Sequence, residues 1–470
     1  MDTAQAQGHI DRIWDDSIVP TLTDYIRIPN KSPLFDPDWA AHGHMDHAVD
    51  LMADWARSHG VPGMTLDIIR LEGRTPVILM EIPGTGSGRG LLYGHLDKQP
   101  ETEGWQEGLG PWNPVLRGDR LYGRGGADDG YALFASLTAF RILHEQGIEH
   151  APCTILIESS EESGSPDLPA YMAHLADRIG DPDLVICLDS GAGNYEQMWC
   201  TTSLRGLVGG DLSVEVLEEG VHSGDASGVV PSSFRILRQL LDRIEDVHNG
   251  WIIPPEFHTS IPRDRLRQAH TAAQVLGDAA IDRYPFAGDT QATTRDGVDA
   301  LLNRTWRPAL EITGGAGLPP LDSAGNVLRP RTSAKLSLRI PPLVDGKRAT
   351  ATLKQILEAN PPHRARVRFE PEWDASGWNA PPFAPWLEEA LERGSQAFFG
   401  KGAVHTGEGF SIPFMAMLAE QYPRAQFMIT GVLGPHSNAH GPNEFLHIPM
   451  AKGLTGCVAT VLEAHGRRAP

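Results

Sequence analysis

Residues 90–97 read GLLYGHLD, a short apolar run that ends on a histidine and an aspartate. Four further runs of the same kind occur along the chain, at Val77–Ile82, Thr154–Ile157, Leu184–Leu188 and Gln426–Thr430. A continuous apolar run of this length is typical of a strand buried on both faces, as in a sheet covered by helices. Helical periodicity falls between the runs, for example in Tyr131–Gln146, where Gly147 follows as a stop. The pattern predicts an α/β domain with a mainly parallel, helix-covered sheet.

A second type of strand alternates apolar and polar residues. It occurs at residues 211–216, 334–340 and 364–369, and amphipathic helices are predicted near Ser232–Val247 and Thr350–Leu357. Alternation is typical of an antiparallel sheet covered on one face, so these elements predict a ferredoxin-like α+β domain. Because buried runs resume after about Trp378, we expect an α/β domain of residues 1–203 and 378–470. The α+β domain, residues 204–377, is then an insertion.

The charge balance excludes several classes of function. The chain has 40 basic and 60 acidic residues and a formal net charge of −20, which disfavours binding to nucleic acid. No apolar stretch approaches the roughly 20 residues of a membrane-spanning helix. The first residues lack the pattern of a secretory signal, and the four cysteines lack a metal-binding spacing. We therefore expect a cytoplasmic enzyme that binds neither nucleic acid nor membrane.

Polar residues follow the buried runs, where the predicted strands end. They are His95 and Asp97, Asp128 and Asp129, Glu161 and Glu162, Asp189, and His436 and His440. In open α/β sheets, ligands bind beyond the carboxyl ends of the strands. Imidazole and carboxylate groups suit borderline divalent metals such as zinc, and this set is large enough for two ions. Two such cations outweigh three carboxylates, which favours a metal-bridged hydroxide as nucleophile and leaves a spare carboxylate as general base.

The motifs YGHLD, GRGGADD, EESGS, LDSG and AHGPNE, in this order and spacing, resemble those of the M20 family of di-zinc metallopeptidases. Within that family they are most similar to the branch of cytosolic nonspecific dipeptidases and carnosinases, over nearly the whole chain. The resemblance implies two zinc sites that share Asp128. Their ligands would be His95, Asp128 and Asp189 for one ion, and Asp128, Glu162 and His440 for the other.

The resemblance also implies roles for residues that do not bind metal. Glu161 is expected to act as general base, and Asp97 is expected to orient the imidazole of His95. The inserted domain is expected to be a lid that forms a homodimer. His222, in the motif VHSG, would stabilise the oxyanion in the other subunit's active site. Arg339, in KLSLRIPP, would bind the terminal carboxylate of the substrate.

One motif departs from the family pattern. The branch usually reads REGGSIP where this chain has GEGFSIP, so that Gly407 replaces an arginine and Phe410 replaces a glycine. Glu408 and Ser411 match the pattern and are expected, with Phe410, to line the substrate site. The loss of a cation and the gain of a ring predict a narrower or more apolar subsite.

These observations predict a dipeptidase that uses two divalent ions, with Zn²⁺ favoured over Mn²⁺ or Co²⁺. An N-acyl amino acid, a carbamate or a xenobiotic amide is the alternative substrate on the same metal centre. A non-catalytic binder of small molecules is a third hypothesis, which the presence of Glu161 disfavours, because a binder has no need of a general base.

Overall fold

The computed structural model describes residues Met1–Arg468, and the chain divides into two compact units. The second unit consists of Thr202–Asn379 and Gly407–Ala416, and the remaining residues form the first. One segment differs from the sequence-based prediction, because residues 407–416 group with the second unit and not with the α/β domain. Hydrogen bonds explain this grouping. The backbone N–H of Arg205 donates to the carbonyl oxygen of Glu408 (3.3 Å), and the Nε of Arg205 donates to that of Gly409 (3.2 Å).

The first unit is built on a six-stranded sheet whose apolar strands are buried. In order across the sheet, the strands are Thr65–Ile69, Val77–Ile82, Cys153–Glu158, Gly90–His95, Leu184–Cys187 and Gln426–Ile429. The last four are mutually parallel, and the first two are antiparallel to their neighbours. All residues of Gly90–His95 and Cys153–Glu158 are buried, as the continuous apolar runs require. The predicted α/β fold is confirmed.

Several helices belong to the first unit. They are Thr3–Ile13, Val19–Ile26, Trp39–His42, His44–Ser58, Tyr131–Glu145, Leu168–His174, Ala176–Ile179, Pro385–Phe399 and Ile448–Arg467, with π-helical turns at Trp14–Ile18 and Gly126–Gly130 and a 3₁₀ turn at Glu161–Ser163. The helix Pro413–Gln421 begins in the second unit and ends in the first. Tyr131–Glu145 ends one residue before the predicted end, and Gly147 follows with a positive φ of 63°. None of the described helices is both long and apolar enough to cross a bilayer.

Short strands form two further sheets. Phe445–His447 pairs with Arg120–Tyr122, which pairs in turn with Val115–Arg117. The other three-stranded sheet has the order Trp378–Asn379, Trp199–Leu204 and Val404–Glu408.

The second unit contains a four-stranded antiparallel sheet. Its strands, in order across the sheet, are Ala309–Ala316, Arg331–Ile340, Gly206–Glu215 and Arg366–Ala375. The helices Ser233–Leu241 and Gly346–Glu358 share one apolar core with it, which includes Leu212, Leu336 and Leu353. The smaller elements of the unit are Val221–His222, Ser223–Ala226, Pro255–Phe257, Arg263–Leu276, Ala279–Asp282, Gly297–Thr305, Leu321–Ser323, Val327–Leu328 and Pro362–Arg364.

The first of these two helices is shorter than predicted, because it ends at Leu241 instead of continuing to Val247. The chain reverses at Asn249 and Gly250, where Gly250 has a φ of 72°. Glu245 then pairs with Ile252 in an isolated bridge. The apolar residues after Leu241 that continued the predicted helical periodicity lie in this turn instead of in the helix. Ile244 and Ile252 are buried there in the core that the sheet shares with the two helices.

Candidate metal centre

The predicted metal ligands all belong to the first unit, and all but Asp128 lie at or beyond the ends of its buried strands. His95 is the last residue of its strand, and Asp189 lies two residues beyond Leu184–Cys187. Glu162 lies in the turn after Cys153–Glu158, and His440 lies in the loop after Gln426–Ile429. Asp128 lies in the π-helical turn before Tyr131–Glu145. Parallel strands deliver their carboxyl ends to one edge, which explains why segments so distant in sequence meet there.

These side chains form two groups of potential ligands that share Asp128. One group is His95, Asp128 and Asp189, and the other is Asp128, Glu162 and His440; within each, one ligand atom per residue lies within 4.8 Å of the others. The Oδ1 of Asp128 lies 3.3 Å from the Nε2 of His95, and its Oδ2 lies 3.0 Å from the Nε2 of His440. Asp128 therefore presents one oxygen to each group.

Asp97 holds the surrounding segments in place. The Nδ1 of His95 donates to the backbone carbonyl of Asp97 (3.2 Å), which leaves Nε2 as the atom that faces the carboxylates. The carboxylate of Asp97 accepts hydrogen bonds from the backbone N–H groups of Glu161 (3.0 Å) and Glu162 (2.9 Å). Asp97, which is fully buried, thus fixes both the imidazole and the turn that carries the two glutamates.

The acidic and basic groups of the centre shift one another's pKa values. Burial lowers the pKa of His440, but hydrogen bonds to Asp128 and Glu162 outweigh it and raise the value to about 11. Burial opposes ionisation of Asp128, yet the same bond from His440 helps to hold its pKa below the usual range. Burial raises the pKa of Asp189 to about 7. Burial, and then the charge of Asp189, raise the pKa of Glu161 well above its usual range.

The donor set fits divalent cations. Its ligands are imidazole nitrogens and carboxylate oxygens, and the Oε1 of Glu162 is a buried oxygen with no hydrogen-bond partner among the described residues. Carboxylates that converge in a buried site repel one another and lose solvation, and a bound cation offsets both costs. The arrangement therefore suits metal-assisted hydrolysis.

Sequence reasoning missed several supporting residues. Gln99 donates from its Nε2 to the Oε2 of Glu162 (2.6 Å). Asp129, which the sequence had placed at the strand ends without a role, accepts a hydrogen bond from the backbone N–H of His95 (3.3 Å). Arg124 forms a buried ion pair with Glu444 and donates to the carbonyl oxygen of Gly441 (3.0 Å), next to His440. Each lies in or beside a quoted motif, but nothing in the sequence indicates which partner it meets.

The predicted substrate-binding residues and His222 belong to the second unit. His222 is exposed, and its Nδ1 accepts a hydrogen bond from the backbone N–H of Gly224 (3.2 Å). Arg339 is half-buried on the strand Arg331–Ile340. Glu408 is buried with its carboxylate 3.7 Å from the guanidinium of Arg304, and the half-buried Phe410 and Ser411 follow it.

Gly407 occupies a position with no room for the arginine of the family pattern. A Cβ atom there would lie 2.5 Å from the Oγ of Ser203 and 2.9 Å from the Cβ of Thr305. Real Cβ atoms do not approach other atoms so closely, so the packing of this loop requires glycine.

A model of peptidase family M20/M25/M40 matches residues 91–464, which include every element of the metal centre. The chain belongs to this family. As a member it is a metal-dependent peptidase, in agreement with the ligand groups described above.

Curated relatives match most of the chain. A cysteinylglycine-S-conjugate dipeptidase of Corynebacterium striatum is 26% identical over 461 residues, which cover 92% of this chain and 96% of that protein. The Cys-Gly metallodipeptidase DUG1 of Saccharomyces cerevisiae is 25% identical over 405 residues, which cover 83% and 82% of the two chains.

Solved structures show the same fold. The dipeptidase Dug1p of Saccharomyces cerevisiae superposes with a TM-score of 0.78 at 21% identity, covering 100% of this chain and 99% of that one. Human carnosine dipeptidase 1 superposes with a TM-score of 0.77 at 19% identity, covering 99% of each chain. At these identities the likeness establishes the fold alone.

Proposed function

We propose that the protein is a dipeptidase that requires two divalent metal ions. The observation that carries this proposal is the position of Asp128, whose two carboxylate oxygens face two different histidines in two overlapping ligand groups. Two-metal hydrolases hold their ions about 3.5–4 Å apart, and a shared carboxylate suits that spacing. The names of the relatives, a cysteinylglycine-S-conjugate dipeptidase and a Cys-Gly metallodipeptidase, support the dipeptide as substrate.

Each of the two ligand groups would hold one of the two ions. His95, Asp128 and Asp189 would hold one ion, and Asp128, Glu162 and His440 would hold the other. Nitrogen and oxygen donors without sulfur suit Zn²⁺, and Mn²⁺ or Co²⁺ are the alternatives. When bound, two such cations polarise a carbonyl group and lower the pKa of water to about 7.

Glu161 would act as the general base. Its backbone is held by Asp97, and its raised pKa suits a group that accepts a proton from the attacking water and later donates it to the leaving amine. Asp97 would keep the imidazole of His95 in the tautomer that directs Nε2 towards the carboxylates.

The second unit would bind the substrate and form a homodimer. Arg339 would bind the terminal carboxylate, and Glu408, Phe410 and Ser411 would contact the remainder of the dipeptide. His222 would stabilise the oxyanion in the active site of the other copy. This unit has exposed side chains that support a homodimer: His222, Val229 (85% exposed) and Leu321 (97% exposed). Exposed apolar side chains are typical of a surface that a second copy covers, and the oligomeric state in solution tests this. A cytoplasmic location stays a prediction from the sequence.

A second candidate is an amidase for N-acyl amino acids, carbamates or xenobiotic amides. Arg304 lies 3.7 Å from Glu408 and offsets the negative charge that would attract a free substrate amine. Phe410 replaces a glycine in the same loop. Both features favour a blocked or apolar group over a protonated amine.

Hydrolysis assays separate these candidates. The zinc-loaded protein is tested on free dipeptides and on N-acyl amino acids, together with Glu161→Gln and a matched control, Glu72→Gln, at an exposed position. We expect turnover of free dipeptides, a loss of about 10²-fold or more in Glu161→Gln, and normal turnover in the control. Turnover of the N-acyl compounds alone would favour the second candidate. Hydrolysis of neither class would support a binder and reject both enzymes, and full activity in Glu161→Gln would reject the role of Glu161.

A further inference from the structure

Three arginines of the second unit, Arg205, Arg304 and Arg339, form a group that we call the arginine cluster. Arg205 directly precedes the strand Gly206–Glu215, and Arg339 lies opposite Leu207 on the neighbouring strand. Arg205 lies two positions before Leu207, just outside the strand, and the charge of Arg339 acts on it. Arg304 lies in the last turn of the helix Gly297–Thr305.

The side chains of Arg205 and Arg304 both lie beside Gly409. A Cβ atom at Gly409 would lie 3.1 Å from the Nη2 of Arg205 and 3.2 Å from the Cγ of Arg304. Arg205 is only 8% exposed, and its Nε and Nη1 donate to the carbonyl oxygens of Gly409, Asn303 and Arg307. These bonds hold the guanidinium rigidly and leave Nη2 without a hydrogen bond among the described residues.

The cluster has more positive than negative charge. Arg304 faces Glu408 at 3.7 Å, and its Nε is buried with no hydrogen-bond partner among the described residues. Arg339 has neither an ion pair nor a hydrogen bond in the described part of the chain. Among the described residues, the one carboxylate that forms an ion pair with the cluster is that of Glu408, which faces Arg304. Burial, and then the positive charges of Arg339 and Arg304, lower the pKa of Arg205 to about 9, so both neighbouring charges act on Arg205.

A neighbouring arginine differs from the cluster. The Nη2 of Arg307 lies 3.0 Å from the carboxylate of Asp299, and its Nη1 donates to the side chain of Asn303 (2.7 Å). Its charge is therefore compensated within the protein. Among the described residues the cluster, by contrast, has three positive charges and one ion-paired carboxylate, and buried charges of one sign are costly unless an anion compensates them.

We propose that the arginine cluster is a subsite for a dicarboxylate, namely the C-terminal aspartate or glutamate residue of a dipeptide. Two carboxylates balance the excess of two positive charges. Arg339 alone would meet the terminal carboxylate, while the Nη2 of Arg205 and the guanidinium of Arg304 would meet the side-chain carboxylate through charge-assisted hydrogen bonds. This inference rests on the proposed function and specifies its substrate class.

Direct binding tests the subsite independently of catalysis. Calorimetry on the metal-free, full-length protein compares L-glutamate with its neutral isostere L-glutamine. We expect glutamate to bind about tenfold more tightly, and we expect added salt to reduce the difference. Equal affinities for the two would overturn the proposal. Tighter binding of inorganic phosphate than of glutamate would also overturn it, because the cluster would then recognise a phosphate.

Variants locate the effect. Arg304→Gln is expected to remove the preference for glutamate, Arg304→Lys to keep most of it, and the matched control Arg307→Gln to leave it unchanged. A folded Arg304→Gln protein that retains the full preference would contradict the assignment. If that variant does not fold, the wild-type comparison and Arg304→Lys still decide the question.

Hydrolysis separates this inference from the proposed function. The zinc-loaded enzyme is assayed on alanyl-glutamate, alanyl-glutamine and alanyl-alanine, with an expected preference of about tenfold in kcat/KM for the first, mainly through KM. Equal hydrolysis of all three would reject the subsite and leave the dipeptidase intact. A preference for glutamate in the binding experiment, with no hydrolysis of any dipeptide, would reject the dipeptidase and leave the subsite intact.

Discussion

The carboxylate of Asp97 accepts a hydrogen bond from the backbone N–H of Glu161 (3.0 Å). Asp97 follows the strand Gly90–His95, and it thereby positions the turn that follows the strand Cys153–Glu158. The same carboxylate accepts the N–H of Glu162 at 2.9 Å. One side chain therefore sets the orientation of both the candidate base and a candidate metal ligand.

Replacement of Asp97 by asparagine is expected to weaken metal binding about 10–100-fold, because an amide accepts only one of the two N–H bonds through its single oxygen. Metal affinity is measured by competition with a chelator. The matched control is Asp167→Asn, since Asp167 likewise accepts a backbone N–H, from Thr75 at 2.9 Å, in another part of the unit. Equal metal affinities in the two variants would contradict the role of Asp97.

The hydrogen bond from Gln99 to Glu162 predicts a selective effect on one metal site. Gln99→Leu removes the donor at 2.6 Å from the Oε2 of Glu162 and should weaken the site of Asp128, Glu162 and His440 about tenfold. Native mass spectrometry during a zinc titration should show one of two binding steps shifted. Gln146→Leu is the control, because among the described residues the side chain of Gln146 forms hydrogen bonds only with the backbone of Asp2. A shift of both steps would indicate a general structural defect.

The ion pair of Arg124 and Glu444 is fully buried and also holds the backbone beside His440. Arg124→Met should destabilise the protein by about 3–5 kcal/mol, because it leaves the carboxylate of Glu444 buried without its partner. The double variant Arg124→Met with Glu444→Gln should recover part of this loss, as measured by urea unfolding. Additive effects of the two changes would show that the pair is not coupled.

Asp183 predicts a pH dependence of stability far from the metal centre. Burial raises its pKa, but hydrogen bonds from His465 (2.7 Å) and from the backbone of Arg89 (3.1 Å) outweigh burial and lower it to about 2. A depressed pKa stabilises the folded state above the unfolded value of about 3.9, and this contribution disappears as the pH falls towards 2.

The variant Asp183→Asn tests this dependence. It should cost about 1–2 kcal/mol at pH 7, a figure reduced because the carboxylate is one-third exposed. The difference in the free energy of unfolding between wild type and variant should shrink between pH 5 and pH 2. A constant difference over that range would contradict the assignment.

Much of the fold and of the candidate site could be predicted because the relevant signals are local. Apolar runs such as Gly90–His95 identify buried strands, and polar residues at their ends fall at one edge of a parallel sheet. The end of the helix at Leu241 could not be predicted, because the apolar residues that continued the helical period pack from a turn into the same core. Local periodicity does not distinguish these two ways of burying a side chain.

By itself, the sequence determined the α/β class, and it predicted an inserted second domain and the residues of the candidate metal centre from composition, period and order along the chain. Only the tertiary structure decided which of these residues meet. Arg124 and Glu444 are 320 positions apart, and Gly407–Ala416 joins the second unit through bonds to Arg205. Distances and charge balance between remote segments depend on how the chain folds back on itself, and no local pattern contains them.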